Sequence, residues 1–474
     1  MINRATVLVM LAATALGGCN FAPRHQRPVG AIPAVLPQGG AYPAMLADGS
    51  DLSAIAWNEF FTDTRLRQVI ALGLENNRDL RVAAANVLQA RAQYRVQRSN
   101  LLPTVSVGGS AQVGDARGVS ATTGSGIPAS GQTVEIYQAN VGISAFELDL
   151  WGRLRNLNEA ALQEFFATEE AQRAARISLI AELASAWLTL AADRDLLLIA
   201  NDTLQSTRQS LDLTRAQFRV GVISELEVRQ ADTNYQAARN DIAALRAQIE
   251  QDRNALNLLA GAPVADALLP EGLGTQDYTL SQLPGDLGSA VLLRRPDVRR
   301  AERELIARNA DIGAARAAMF PTISLTASFG TVSTALSGLF GSDSRAWSVG
   351  PGATLPIFDF GRRSGNLAAA RAAQQGAVAT YERTLQAAFR DVADALATRG
   401  TIDEQLAARA ARADSAIVAA RLSDARYRAG VESFLITLDA QRTAYAARRD
   451  LVTTRLNRAN NLVSVYRAIG GGLS

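Results

Sequence analysis

The chain has one thiol and one imidazole available for covalent or metal chemistry, Cys19 and His25. Cys19 follows an apolar N-terminal run, and His25 lies in a proline-rich stretch. One residue of each type leaves no His/Cys cluster for a metal and no Cys–His or Ser–His pair for nucleophilic catalysis. The sequence also has no glycine-rich phosphate loop and no nucleophile elbow. We therefore expect no metal site, no cofactor and no catalytic centre, and an enzyme is the least favoured class.

The chemistry that Cys19 suits is lipid attachment. A short positive region and an apolar run of signal-peptide length precede it. Leu16-Gly17-Gly18-Cys19 resembles a bacterial lipobox, which implies a signal peptide at 1–18 and a covalent lipid on Cys19. An ordinary signal peptide with an incidental cysteine is the alternative. Residues 19–52 hold five of the 14 prolines and predict an extended tether.

The charge pattern disfavours nucleic acid as a partner. The formal net charge is +3, and every basic residue is arginine. No run of basic residues with interleaved aromatic residues occurs, so we expect no nucleic-acid binding.

The chain contains an internal duplication. Asp79 to Val107 aligns on Asp297 to Leu325 at a constant offset of 218 (297 − 79). Two later motifs also recur, Leu148 to Arg153 as Phe358 to Arg362 and Phe218 to Ser224 as Tyr427 to Ser433. Such self-similarity marks a repeat architecture. We predict a first repeat at 53–283 and a second at 284–474.

Each repeat contains two segments that alternate polar and apolar residues. We predict strands at 101–115, 134–148, 320–331 and 345–358. Period-two alternation places one face in an apolar medium, and strands of about 10 residues suit a transmembrane barrel. Two soluble hairpins packed on a core are the alternative. Small polar residues on the opposite face favour a wet lumen over that alternative. At the junction after the second strand, we expect Trp151 to pack internally rather than to anchor at a membrane interface.

Very long helices follow the strands in each repeat. No glycine or proline lies between Gly152 and Gly221, and apolar residues recur every seven positions in the helical segments. Sustained heptads predict paired helices, here coiled coils at 153–260 and 362–469. The heptad residues, which we predict to be core, are Leu197, Leu204, Leu211, Phe218, Val228, Tyr235, Ile242, Ile249, Leu256, Leu438, Tyr445, Val452, Ala459 and Tyr466.

Four membrane strands do not close a barrel, and an open sheet edge does not persist in lipid. Several chains must therefore pool strands. Two chains give a barrel too tight for a wide pore, whereas three give twelve strands around a lumen. The predicted fold class is mainly α with a β-barrel contribution, internally duplicated, forming a trimeric 12-stranded barrel and an α-helical tunnel.

These features together resemble the TolC-like outer membrane factors, in their lipoprotein branch of the OprM/NodT type. The resemblance covers about Trp57 to Ile469. It rests on the lipobox, the doubled Pro-Thr strand starts at Pro103 and Pro321, the two Gly-Arg junctions and the two Arg-x-Gly-x-x-Ser turns. It implies a homotrimer in the outer membrane of a Gram-negative bacterium, in contact with outer-membrane lipid and extending into the periplasm.

The resemblance also implies a passive function. The chain would be the exit channel of a tripartite efflux system for small molecules or drugs. An inner-membrane resistance-nodulation-division pump would supply the energy, and a periplasmic adaptor (membrane fusion) protein would link pump and channel.

The resemblance places a gate just after the second glycine turn. Leu435 and Asp439 match family positions that narrow the pore, and they lie four residues apart on one helix face. Three Asp439 carboxylates would repel one another unless an arginine or a cation paired with them. Arg428 matches a family arginine that helps to hold the closed state. An exposed charge on a solvated helix is the alternative for Asp439.

The two turns also resemble adaptor-docking tips. The residues concerned are Arg219, Gly221 and Ser224 in the first turn, and Arg428, Gly430 and Ser433 in the second. Glycine suits a left-handed helix end and serine suits the cap of the next helix, so plain turn chemistry is part of the explanation.

Three other functions stay open at this point. Two of them are channels, for type I secretion of proteins or peptides and for metal efflux. The third, of a different class, is a non-conducting periplasmic coiled-coil scaffold lipoprotein, which has no need of four amphipathic strands.

Overall fold

The computed structural model describes residues 20–43, 55–115, 133–274, 277–280 and 289–471. The predicted signal peptide and Cys19 lie outside the described residues. The helices in chain order are α1 (Trp57–Phe60), α2 (Thr64–Asn76), α3 (Arg78–Ser99), α4 (Arg153–Arg219), α5 (Glu225–Ala260), α6 (Pro296–Ala317), α7 (Arg362–Arg428) and α8 (Phe434–Ala468). The strands are β1 (Val105–Asp115), β2 (Thr133–Glu147), β3 (Thr322–Ser333) and β4 (Arg345–Thr354).

The duplication in the sequence reappears in the lengths of the elements. Helices α3 and α6 have 22 residues each, and α4 and α7 have 67 each. Helices α5 and α8 have 36 and 35 residues. Each half therefore repeats the order of one 22-residue helix, two strands and two long helices, with α1 and α2 preceding this set in the first half.

The chain divides into two compact units, and each unit draws on both halves of the sequence. The first comprises 87–168 and 301–381 with the start of the chain up to Arg27. It holds an antiparallel sheet in the order β1-β2-β3-β4. Strands β1 and β4 are therefore its two edges, and every residue of β4 is exposed.

The four predicted strands are present, but two of them are shorter than predicted. Strand β1 begins at Val105 rather than 101, because the backbone N–H groups of Leu101 and Leu102 continue the preceding helical turn by donating to Arg98 and Ser99. Strand β4 ends at Thr354 rather than 358, since Pro356 has no N–H to extend the ladder.

Trp151 packs internally at the junction between β2 and α4, as predicted. Its ring stacks on Phe320 with centroids 4.8 Å apart, and its indole N–H donates a hydrogen bond to the Pro321 carbonyl oxygen at 2.9 Å. Phe320 stacks in turn on Phe21 of the tether, with centroids 5.0 Å apart. Among the described residues 20–43, the tether forms no helix and no multi-residue strand.

The second unit comprises 28–86, 169–300 and 382–474, and its core lies around Trp187. The Trp187 indole N–H donates to the Leu268 carbonyl oxygen at 2.9 Å, and Phe60 stacks on Tyr466 with centroids 4.2 Å apart. Helix α4 contains an 18-residue window of mean hydropathy 1.3, apolar enough to cross a bilayer, but 56% of that window is buried inside the protein. This burial favours a core helix over a membrane span.

The heptad positions of α5 and α8 are core positions, as predicted. Ile242, Leu256, Leu438, Val452 and Tyr466 are all buried, and the remaining members of those two helices are partly buried. The prediction was wrong for Phe218 in α4, whose side chain is 44% exposed. Phe218 lies in the last turn of α4, next to the exposed tip of the hairpin that carries Val220 and Val222.

Candidate functional site at the helix-hairpin ends

Two helix hairpins of the second unit end in matching glycine turns. Gly221 between α4 and α5 has φ 78°, and Gly430 between α7 and α8 has φ 74°. The Gly221 N–H donates to the Phe218 carbonyl oxygen and the Gly430 N–H donates to the Tyr427 carbonyl oxygen, each at 2.9 Å. In both turns the N–H of the following residue, Val222 or Val431, donates to the carbonyl oxygen of the residue five positions earlier. This second hydrogen bond completes a Schellman-type helix end. The glycine requirement is therefore structural in both hairpins.

The two serines occupy the N-cap positions that the sequence predicts, but only one has a reinforced cap. The Ser224 backbone N–H donates to the Glu227 carboxylate at 3.0 Å, as in a capping box. Ser433 has the extended backbone of an N-cap, yet its side chain makes no capping hydrogen bond. Phe434 stands at the start of α8, and its ring is buried against Tyr427, with centroids 5.4 Å apart.

The turns also carry exposed apolar side chains for which the sequence predicted no role. Val220 and Val222 flank Gly221, and Val431 follows Gly430; these valines are 75%, 71% and 66% exposed. Arg219 is exposed beside them. The geometry of the first turn requires neither Val220 nor Val222, so the presence of two valines there was the sequence signal for an exposed apolar surface. Each tip therefore presents an apolar surface with an arginine next to it.

Leu435 and Asp439 lie together on the exposed face of α8, as their spacing predicts. Leu435 is 61% exposed and Asp439 is exposed, whereas Thr437 and Leu438 between them are buried. The structure does not bring Arg428 to Asp439. The Arg428 guanidinium instead forms an ion pair with Asp424 of its own helix at 2.7 Å.

Contacts between the two hairpins form a row that sequence patterns did not reveal. The Tyr427 hydroxyl donates to Gln217 Oε1 at 2.6 Å, and the Tyr445 hydroxyl donates to the Asp241 carboxylate at 2.8 Å. Three further polar contacts join the hairpins, Gln441 to Ser210, Arg442 to Asn234 and Arg448 to Asp202. An apolar cluster of Leu211, Ala231, Tyr427, Phe434 and Leu438 lies beside them.

Both tyrosine hydroxyls remain protonated donors at neutral pH. Burial, with the negative charge of Glu227, raises the pKa of Tyr427. Burial and the hydrogen bond to Asp241 raise the pKa of Tyr445 to about 12. The hydrogen bonds that these two hydroxyls donate therefore persist across the physiological pH range and restrain separation of the hairpins.

Replacing Tyr427 by phenylalanine is expected to weaken this restraint while keeping the ring in the apolar cluster. A neutral hydrogen bond contributes about 0.5–1.5 kcal/mol, so local opening of the hairpin contact should increase about two- to tenfold. Hydrogen exchange of the backbone amides near Gln217 measures this opening. Tyr94→Phe, a change in α3 at a hydroxyl with no described hydrogen bond, is the matched control. Equal exchange in Tyr427→Phe and wild type would show that the bond restrains nothing.

A pair of aspartates joins α4 and α5 in the same unit. Burial, together with the hydrogen bond and the charge of Asp252, raises the pKa of Asp193 to about 7. Asp252 Oδ1 also accepts a hydrogen bond from the Gln248 amide at 2.8 Å. The contact is therefore favourable when one proton is shared between the two carboxyl groups.

This pair predicts that stability falls as the pH rises from about 4 to about 7. The folded chain holds the proton to a higher pH than the unfolded chain does, so the stabilisation is complete below the unfolded pKa and is lost through the folded pKa. Asp193→Asn should flatten that part of the profile. Thermal unfolding midpoints at pH 5 and pH 8 test this, with Asp212→Asn, at an exposed position of the same helix, as the control. An unchanged profile in Asp193→Asn would contradict the shared proton.

Comparison with known proteins agrees with these features. The family model described as "Outer membrane efflux protein" matches residues 69–262 and 287–471. The toluene efflux pump outer membrane protein TtgC of Pseudomonas putida is 41% identical over 469 residues, covering 98% of this chain and 95% of the relative. The outer membrane protein OprJ of Pseudomonas aeruginosa is 40% identical over 466 residues, covering 98% and 95%.

A solved structure shows the same architecture. The open state of the Neisseria gonorrhoeae MtrE outer membrane channel superposes with a TM-score of 0.83 at 35% identity, over 96% of this chain and 99% of that chain. The long paired helices and the four-stranded sheet of this chain are thus the architecture of an outer membrane channel protein.

The chain belongs to the outer membrane efflux protein family. It is an outer-membrane efflux channel of a Gram-negative bacterium, and the scaffold alternative is excluded.

Proposed function

We propose that this chain assembles as a homotrimer that forms the passive exit channel of a tripartite efflux system. The observation that carries the proposal is the sheet with two open edges. Strands β1 and β4 each lack a partner on one side within the described residues, and an unpaired edge is strongly unfavourable in lipid. Three chains supply twelve strands and close the barrel around a lumen wide enough for small molecules.

The hairpin ends support the remaining parts of the proposal. The valines and Arg219 at the tips form a surface suited to a periplasmic adaptor protein, which would connect the channel to an inner-membrane resistance-nodulation-division pump. Leu435 and Asp439 on the exposed face of α8 form the gate in the trimer, with Arg428 and its Asp424 partner bracing the turn. Nothing in this role calls for catalysis, and we assign no enzymatic activity.

Small apolar compounds are the proposed cargo class. Relatives carry names that refer to toluene and antibiotic efflux pumps. The covalent lipid on Cys19 would add a membrane anchor to the barrel, and no other bound group is proposed.

Planar-bilayer conductance of the purified protein, with its oligomer mass determined in parallel, tests the proposal. A trimer that gives small conductance steps sensitive to divalent cations is the expected result. A monomeric mass without conductance would overturn both the pooled barrel and the channel. Mass spectrometry of the N-terminal peptide tests the lipid on Cys19 separately, since a free thiol there would remove only the anchor.

A further inference from the structure

The two strand-to-helix junctions of the chain are related by the internal repeat but differ in exposure. The first junction follows β2 and contains Trp151, which is packed against Phe320 as described above. The second follows β4 and contains Phe358 and Phe360, which are 88% and 105% exposed. Trp151 and Phe360 each directly precede a glycine with positive φ, Gly152 at 78° and Gly361 at 85°. The second junction therefore presents an aromatic side chain with no partner among the described residues of its own chain.

The partner of Trp151 also has an exposed counterpart. At the repeat offset of 218, Phe320 and Pro321 correspond to Leu102 and Pro103. The local backbone is the same, since the Phe320 N–H donates to Ala317 and the Leu102 N–H donates to Ser99 at 3.1 and 3.0 Å. Leu102 is 70% exposed, whereas Phe320 is 39% exposed.

Strand pairing explains why one pair meets within the chain. Trp151 follows β2 and Phe320 precedes β3, and β2 pairs with β3. Phe360 follows β4 and Leu102 precedes β1, which are the two edges of the sheet. Antiparallel pairing of β4 with β1 of a second chain would bring Phe360 to Leu102 just as pairing of β2 with β3 brings Trp151 to Phe320.

We infer that Phe360, supported by Phe358, packs on Leu102 of the neighbouring copy of this chain and forms an apolar lock at the helical end of each strand junction between subunits. The inference rests on the proposed trimer and names the side chains that hold its subunits together at this level. The backbone at Phe360 is consistent with such a role. Its φ of 53° is unfavourable for an aromatic residue, and strained positions persist where surrounding contacts enforce them.

Cysteine cross-linking distinguishes this contact from exposure to lipid. The double variant Leu102→Cys/Phe360→Cys is treated in the intact membrane with a short bismaleimide, which tolerates imperfect thiol geometry. We expect products of two and three chains on denaturing gels. The matched control is Trp151→Cys/Phe320→Cys, which reports the equivalent contact within one chain and should stay at the mass of a monomer. Cys19 is kept in every variant, and the four single variants measure background.

The outcomes separate this inference from the proposed function. The protein can have a trimeric mass and the control can be cross-linked within one chain while Leu102→Cys/Phe360→Cys gives no linked chains. That result would overturn the lock and leave the proposed trimer standing. A monomeric mass for the wild type would overturn both. A ladder ending at three chains would support the lock.

A variant without new thiols provides a second test. Glycine accepts a positive φ without strain, so Phe360→Gly should leave the fold of the chain intact while removing the aromatic contact. We expect the trimer to dissociate in detergent at a lower temperature than the wild type does. Phe340→Ala is the control, because Phe340 is another highly exposed aromatic residue, 82%, in the segment between β3 and β4. Trimer dissociation at or above the wild-type temperature in Phe360→Gly would overturn the lock.

Discussion

Replacing Asp439 by alanine is expected to give a channel with higher resting conductance and little sensitivity to divalent cations. Asp439 lies on the exposed face of α8 one turn from Leu435, while the neighbouring Leu438 is buried in the hairpin core. In the proposed trimer, three such carboxylates around one axis would attract a cation that bridges them and narrows the pore. Alanine removes both the carboxylate and part of the bulk. Single-channel conductance, with and without magnesium, measures the change, and antibiotic susceptibility reports the leak in cells.

The contribution of charge can be separated from that of size. Asp439→Asn keeps the shape of the side chain and should lose the cation sensitivity, whereas Asp439→Glu should keep it. Asp414→Asn, at an exposed aspartate of α7, is the control for a general change of surface charge. If Asp439→Ala conducts like the wild type and leaves susceptibility unchanged, Asp439 is a solvated surface residue and the gate lies elsewhere.

Gly430→Pro is expected to abolish efflux while leaving trimers in the membrane. Proline fixes φ near −65°, which is incompatible with the φ of 74° at Gly430, and it removes the N–H that donates to Tyr427. The turn must therefore rearrange, and the tip valine Val431 and the start of α8 move with it. The sheet and the core around Trp187 use no atom of this turn. Antibiotic susceptibility and oligomer mass are the two measurements.

Two variants control this result. Gly430→Ala retains the N–H and adds only the strain of a left-handed residue, about 1–2 kcal/mol, so it should keep most of the efflux. Gly221→Pro makes the same change in the first hairpin and shows whether both tips are needed. Loss of trimers in Gly430→Pro would mean that the turn serves folding alone. Wild-type efflux in Gly430→Pro would show that this turn is not part of the docking surface.

Local sequence patterns determined the elements of this protein and their order. The heptads predicted a coiled coil in each repeat, at 153–260 and 362–469, and the first long helices of these segments, α4 and α7, have 67 residues each. Period-two alternation located all four strands, because the side chains of a strand alternate between two media. The errors at the ends of β1 and β4 have local causes, a helical turn that continues past Ser99 and a proline that ends a ladder. The heptads identified the buried face of α5 and α8 because seven residues complete about two helical turns.

Only the tertiary structure decided which side chains meet. Tyr427 contacts Gln217 and Asp193 contacts Asp252 across different helices, and no periodicity within one helix encodes the identity of a partner on another. The pairing of β2 with β3 buries Trp151 against Phe320, whereas the same motif at the sheet edge leaves Phe360 exposed. A repeated sequence thus specifies the same local structure twice. The environment of each copy depends on whether the chain itself supplies the neighbouring strand, and that is a property of the sheet order.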